Sequence, residues 1–151
     1  MHTALVVLLT VAISAAVLWA YFTAQRLHRL HIRTDAALAS LQSALDRRAA
    51  IAAVMLPDLT RAASEAQAVP LVYATFAQRI EKERAISAGI AELGSDVPLP
   101  LADAQVRLQL AHRFYNDAVA DTRALRMRPL IRLTRLGGAA ALPEFFEYSE
   151  L

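Results

Sequence analysis

Histidine and carboxylate side chains at helical spacing are the first candidates for chemistry in this sequence. His28 and His31 lie three residues apart and can therefore share one face of a helix. A metal site would need further ligands, and the nearest acid on that stretch is Asp35. Glu81 and Glu83 lie two residues apart and point to different faces, so they do not form a catalytic carboxylate pair. Neither pattern predicts a metal centre or an acid–base pair.

The densest cluster of polar and aromatic residues is His-Arg-Phe-Tyr-Asn-Asp at 112–117. We expect Phe114 to pack inward, while Tyr115 and Asn116 form hydrogen bonds at a helix seam. His112 is expected at the surface or in a hydrogen bond. A binding role for the cluster is the alternative interpretation.

Motifs for catalysis and for cofactor binding are absent from the sequence. It has no zinc-site spacing, no glycine-rich phosphate loop and no nucleophile elbow. The chain contains no cysteine, and its formal net charge is only +2. Without a coherent basic face or an aromatic stacking platform, nucleic-acid binding is not expected. The sequence therefore predicts a protein that is not an enzyme, with no cofactor, no metal and no small-molecule substrate.

The N-terminal part of the chain is typical of a membrane-spanning helix. Residues 3–24 contain no charge, and as a helix they would extend roughly 33 Å, enough to cross the hydrocarbon core. Arg26, Arg29 and Arg33 follow the span, and Trp19 lies near its end. This charge asymmetry predicts a single-pass cell-membrane protein with its N-terminus outside and its C-terminal domain cytoplasmic. A cleaved signal peptide fits less well, because Phe22 would stand three residues before a cut after Ala24.

Small residues recur at every fourth position of this segment. Such spacing lets two membrane helices approach closely. The span is therefore a candidate homo-oligomer or partner contact through Ala12, Ala16 and Ala20.

Beyond the membrane segment, helical periodicity predicts an all-α fold, an antiparallel three- to four-helix bundle. The expected parts are an anchor at 1–25, a bundle at 26–128, and a basic amphipathic turn with an aromatic-acidic tail at 129–151. The first helix is expected to run to about residue 67, with Pro57 kinking or restarting it. The second is expected over 70–93 and the third over 102–127.

The outward and inward faces follow from the same periodicity. Arg79 and Glu83 are assigned to a solvated face of mixed charge on the second helix, and Val106, Leu110 and Phe114 to the inward face of the third. In a simple up–down–up arrangement, the basic stretch 123–136 would lie at the end far from the membrane. The tail aromatics Phe145, Phe146 and Tyr148 carry too much apolar area to be left in water.

Length comparison predicts an uncovered stripe on the first helix. Residues 25–67 would extend roughly 64 Å as a helix, whereas the second helix extends only about 35 Å. The membrane-proximal stripe would then lack partners within one chain and form an interface. Its residues are Leu27, Leu30, Leu38 and Leu41.

Two stretches resemble the LemA family of membrane-anchored helical proteins. The first is RLQLAHRFYNDAVADTRALRMRPLIRL at 107–133, followed by PEFFEY at 143–148. The second is RTDAALASLQSALDRRAAIAAVMLPDL at 33–59. The central third departs from the family pattern, so the chain looks like a shortened, divergent member. The resemblance implies a helical bundle behind an N-out anchor, no catalytic residues, and motif positions at Arg113, Phe114, Tyr115, Asn116, Asp117, Phe145, Phe146 and Glu147.

These observations predict a membrane-tethered interaction or scaffold module. Its expected partners are the lipid bilayer and either a partner protein or further copies of itself. The alternative is a regulatory subunit of a membrane enzyme or protease.

Overall fold

The computed structural model of the chain describes residues 2–134 and 141–148. Five α-helices follow one another, and no strand occurs within these ranges. The predicted all-helical class is confirmed. The helices are α1 (His2–Met55), α2 (Thr60–Gln67), α3 (Phe76–Ala91), α4 (Leu99–Arg126) and α5 (Pro129–Thr134). Arg135, Leu136 and Gly137-Gly138 of the predicted basic turn, and residues 149–151 of the tail, lie outside the described residues.

Helix α1 is uninterrupted because residues 2–55 contain no glycine and no proline and are rich in alanine and leucine. Its apolar beginning is long enough to cross a membrane by length and composition. The side chains there contact little of the remaining chain; Leu8 and Phe22, for example, are 72% and 63% exposed. They therefore present the continuous apolar surface that a bilayer requires.

Proline ends α1 earlier than the sequence predicted. Leu56 is extended, and Pro57 begins a short 3-10 turn, Pro57–Leu59. Helix α2 then folds back along α1, where the Gln67 side-chain amide donates to the Asp46 carbonyl at 3.0 Å. The prediction of one helix to about residue 67 was therefore wrong, whereas the predicted restart at Pro57 is confirmed.

Helix α3 starts after a second 3-10 turn, Tyr73–Thr75, and lies beside the distal half of α1. Phe76 at its start packs in the cluster around Leu41 and Leu45, while Ile90 near its end joins Ala52. The helix therefore runs parallel to α1, away from the apolar segment. Gly94, with φ +57°, takes the left-handed conformation that favours glycine and closes the turn after the helix.

Helix α4 returns along α1 in the opposite direction. Leu101 packs at the level of Ala52, Thr122 hydrogen-bonds Thr34 at 3.0 Å, and Leu125 contacts Leu27. Residue numbers along α4 decrease in the direction in which those along α1 increase, so the two helices are antiparallel. Helices α2 and α3 reverse the direction of the chain near the C-terminus of α1, far from the apolar segment. The C-terminus of α4 therefore reaches the residues that follow the apolar segment.

This arrangement overturns two predictions. Leu27 is 4% exposed and Leu41 is fully buried, while Leu30 and Leu38 are partly buried. Helix α4 covers the stripe that length comparison had left without a partner. For the same reason, the basic stretch starting at Arg123 does not lie at the distal end of the bundle.

Residues 141–148 form an extended tail that runs back along α4. Arg123 and Arg126 donate to the carbonyls of Pro143 and Ala141, at 3.0 and 2.9 Å. Further along, Phe146 and Tyr148 are buried in the core around Leu41 and Leu45. The expected burial of the tail aromatics is confirmed for these two, while Phe145 is 41% exposed and lies under the Arg123 guanidinium.

Candidate functional site

The two parts of the first stretch that resembles the LemA family, residues 107–133 and 143–148, meet in the fold. On α4, Tyr115 donates its hydroxyl to the Glu144 carbonyl at 2.6 Å. The next residue, Asn116, binds the backbone of Phe146 with both ends of its side-chain amide. We call these contacts, together with that of His112, the tail clasp. The clasp fixes an extended segment that has no helix of its own to satisfy its backbone groups.

His112 completes the tail clasp. Its Nε2 lies 2.6 Å from the Phe146 carbonyl oxygen, which can only accept, so the ring donates from this nitrogen. The Asn116 amide nitrogen lies 3.3 Å from the same oxygen. One carbonyl therefore receives two side-chain donors from adjacent turns of α4. The predicted hydrogen bonding of Tyr115 and Asn116 is confirmed, but their partner is the non-helical tail and not a neighbouring helix, as a helix seam would require.

Aromatic rings surround the tail clasp on the inside. Phe76 meets Tyr115 and Phe146 edge to face, with centroids 6.2 and 5.1 Å apart. Such edge-to-face pairs add to the stabilisation that burial alone gives. The pKa of Tyr115 is raised above its ordinary value of about 10, chiefly by burial. The hydroxyl therefore keeps its proton, and can donate it in a hydrogen bond, throughout the neutral range.

A network of four charged residues, three of them fully buried and Asp46 half-buried, lies next to the tail. Glu83 accepts from Arg48 at 2.7 Å and from Arg79 at 2.8 Å, and all three side chains are fully buried. Arg79 also donates to Asp46 at 2.6 Å and to the Val69 carbonyl at 2.8 Å. Two positive and two negative groups thus neutralise one another, and they join α1, α3 and the α2–α3 connection.

The tail also covers the ionic network. The Tyr148 ring stacks on the Arg48 guanidinium, 5.5 Å from centroid to Cζ. Ser87 hydrogen-bonds both the Tyr148 hydroxyl and the Arg48 guanidinium, the latter at 3.1 Å. A cation whose partners and aromatic cover all come from its own chain is structural rather than open to a ligand.

The network corrects the predicted solvated face of α3. Arg79 and Glu83 are buried because the chain places Arg48 on the inward stripe of α1, opposite them. The signal available in the sequence was the position of Arg48, three residues after inward Leu45 and four before inward Ala52. A charge on an apolar stripe requires a buried partner of opposite sign.

The outer face of α4 carries large apolar side chains. Val106, Leu110 and Phe114 are 63%, 52% and 55% exposed, which corrects their predicted inward position. Tyr115 takes the inward place expected for Phe114, because its hydroxyl reaches the tail backbone. The three exposed residues are spaced by four and lie on one face of the helix, which we call the α4 stripe.

The family-motif residues therefore divide between two roles. Tyr115, Asn116 and Phe146 build the tail clasp, whereas the other members are exposed on α4 or on the tail. Phe114 belongs to the α4 stripe, and the remaining exposed members are Arg113, Asp117, Phe145 and Glu147. Exposed positions are available for contact with another molecule.

The remaining predicted positions stand apart from these groups. Ala12 and Ala16 are exposed, and Ala20 is partly buried. His31 donates from Nδ1 to the Leu27 carbonyl at 2.8 Å. Among the described residues, no cluster of three or more histidine and acidic side chains is arranged to hold a metal ion.

Comparison of this chain with models of protein families, with curated proteins and with solved structures finds no match in any of the three.

Proposed function

We propose that this chain is a single-pass, membrane-anchored helical-bundle protein of the LemA type, which acts as an interaction or scaffold module and has no catalytic activity. In this proposal the apolar part of α1 spans the cell membrane, with its N-terminus outside. Arg26, Arg29 and Arg33 support this orientation, because basic residues are retained on the cytoplasmic side.

The observation that carries the proposal is the α4 stripe. Its three side chains extend over roughly 12 Å of helix and point away from the core. Contiguous apolar residues on an outward face are typical of protein interfaces. Arg113 and Asp117 lie beside Phe114 and give the stripe a polar rim.

The use of the buried polar groups supports a role without catalysis. Glu83 is held by two arginines, and Asn116 and Tyr115 are occupied by the tail backbone. Groups satisfied in this way stabilise the fold and are not themselves available as a free acid or base. The rigid bundle then serves to present α4 at a defined distance from the membrane.

Site-specific photocrosslinking in intact membranes tests the proposal. A photoreactive phenylalanine analogue is placed at 114, on the stripe, and at 81, on the exposed outer face of α3, as the control. We expect one discrete adduct from position 114 and none from 81. Introducing Leu110→Glu into the position-114 protein should reduce the adduct at least tenfold, because a charge would be buried in the interface.

The mass of the adduct separates two forms of the proposal. Twice the mass of the chain identifies a homo-oligomer, and another mass identifies a different protein. Equal capture from both positions, or an adduct that Leu110→Glu leaves unchanged, contradicts the interaction role of the α4 stripe.

A further inference from the structure

Helix α5 lies against the end of the apolar segment of α1. Ile131 is buried against Leu27 and Leu125, which fastens α5 to the antiparallel pair. A groove of about 380 Å³ separates α5 from α1, and its walls include Trp19 and Thr23. Trp19 lies eight residues before Leu27, roughly 12 Å along the helix axis. The groove therefore lies at the level where the charge-free segment gives way to arginines.

The groove is rimmed by positive charge. Arg26 from α1 and Arg128 at the start of α5 line it, and Arg132 follows one turn further on. All three are exposed, and none forms an ion pair with another described residue. Residues 123–134 contain no acid. Positive charge that has no counterion among the described residues is complementary to an anion.

Apolar side chains accompany these arginines. Leu130 lines the groove beside Trp19 and is 61% exposed, and Leu133 on the same short helix is 82% exposed. A segment with arginines on one side and leucines on the other suits the boundary between headgroups and acyl chains. Trp19 is also of the type that prefers this layer.

We propose that the groove between α1 and α5 binds the headgroup of an anionic phospholipid, with Arg26, Arg128 and Arg132 around the phosphate and Leu130 and Leu133 among the acyl chains. This inference rests on the proposed membrane anchor. The continuity of the groove with the apolar segment favours a lipid over a soluble anion, since such a lipid would enter from the bilayer along Trp19 and Thr23.

Trp19 provides a direct probe of this site because it is the single tryptophan of the chain. The full chain is reconstituted in vesicles of phosphatidylcholine with a minority of phosphatidylglycerol, and either lipid is brominated on its acyl chains to quench nearby tryptophan. From the attraction of each arginine to an anionic surface, we expect phosphatidylglycerol to be enriched at Trp19 about fivefold or more over its bulk fraction.

The variant Arg128→Gln/Arg132→Gln should lower this enrichment at least about fivefold, because two of the three cations are removed. The matched control is Arg47→Gln/Arg113→Gln, which removes the same charge from two exposed arginines away from the groove and should retain the enrichment. Circular dichroism of both variants verifies that the helices are intact.

The remaining outcomes separate this inference from the proposed anchor. Quenching by both lipids in proportion to their bulk fractions overturns the headgroup site and leaves the anchor standing. Equal loss of enrichment in both double variants assigns the effect to net charge and also overturns the site. Absence of quenching by either lipid overturns the anchor and, with it, this inference.

Discussion

Asn116 holds Phe146 by both backbone polar groups. Its side-chain oxygen accepts the Phe146 N–H at 3.1 Å, and its amide nitrogen donates to the Phe146 carbonyl at 3.3 Å. An amide side chain thus pairs with an extended backbone as a neighbouring strand would. The contact joins residues 30 positions apart in sequence and fixes the register of the whole tail, so that Tyr148 reaches Arg48.

Asn116→Ala should loosen the tail without unfolding the helices. Both hydrogen bonds to Phe146 are lost, and a buried backbone group is left unsatisfied, at a cost of about 1–3 kcal/mol. Cleavage by chymotrypsin at the tail aromatics should then accelerate by about five- to a hundredfold, in proportion to the open population. Mass spectrometry of the fragments measures this rate.

The neighbouring substitution Asp117→Ala is the control for the tail, because Asp117 is exposed on α4. Its cleavage rate should match that of the unaltered chain. Equal rates for Asn116→Ala and the unaltered chain would contradict the tail clasp.

Tyr115 should make stability depend on pH in the alkaline range. The pKa of Tyr115 is raised, chiefly by burial, above the value of about 10 expected in the unfolded chain. The folded protein therefore retains this proton where the unfolded chain loses it, so the contribution is complete below about pH 10 and is lost as pH rises further.

Urea unfolding of the unaltered chain and of Tyr115→Phe between pH 7 and 11 measures this contribution. The free energy of unfolding should be about 1 kcal/mol lower for the Tyr115→Phe variant at pH 7, because the hydrogen bond to Glu144 is lost. This difference should shrink above pH 10. Tyr73→Phe is introduced into both proteins, because the pKa of Tyr73 is also raised by burial and depends on its hydrogen bond with Tyr115. A difference that stays constant through pH 11 would speak against this account.

Removing Glu83 should strongly destabilise the bundle. Glu83→Ala leaves Arg48 and Arg79 buried together without their shared carboxylate, a change that typically costs about 3–5 kcal/mol. Glu81→Ala on the same helix removes an exposed carboxylate paired with Arg84 and should cost less than about 1 kcal/mol. Thermal unfolding in detergent, followed by circular dichroism, compares the two. Similar midpoints would show that the buried network is not structural.

Leu27 should contribute to the stability of a single chain. Leu27→Ala opens a cavity between α1, α4 and α5 and should cost about 2–3 kcal/mol, near the lower end for such changes because the cluster is small. Ile32→Ala, on the exposed side of α1, is the control and should have little effect. A change of oligomeric state by Leu27→Ala, with no loss of stability in the monomer, would restore the interface role that the sequence first predicted for this residue.

The helical class and the inward stripe of α1 could be predicted because they depend on local periodicity. Leu27, Leu41 and Leu45 lie inward, as expected of a stripe that recurs every three or four residues along α1. The partner of that stripe could not be predicted, because it depends on where the chain turns back. Leu56 takes an extended conformation, α2 folds onto α1, and the direction of α4 is reversed relative to a simple up–down–up bundle.

The buried polar groups were the least predictable part of the site. Hydrophobicity assigns Phe114 inward and leaves Tyr115 at a helix seam. In the structure Tyr115 is fully buried, with its hydroxyl on the distant Glu144 carbonyl, and Phe114 is exposed. Similarly, Glu83 resembles any exposed helix residue until Arg48 is placed opposite it. Such pairings are set by contacts between residues far apart in sequence, which periodicity does not encode.

Protease accessibility of the membrane-bound chain tests the central proposal most directly. The chain is expressed in bacterial cells, and its tail is probed with protease in intact spheroplasts and in inside-out membrane vesicles. Separate membrane samples are extracted with alkaline carbonate. We predict that the chain remains in the membrane pellet and that the tail, residues 141–148, is cleaved only in inside-out vesicles. Release of the chain by carbonate, or cleavage of the tail in intact spheroplasts, would contradict the account.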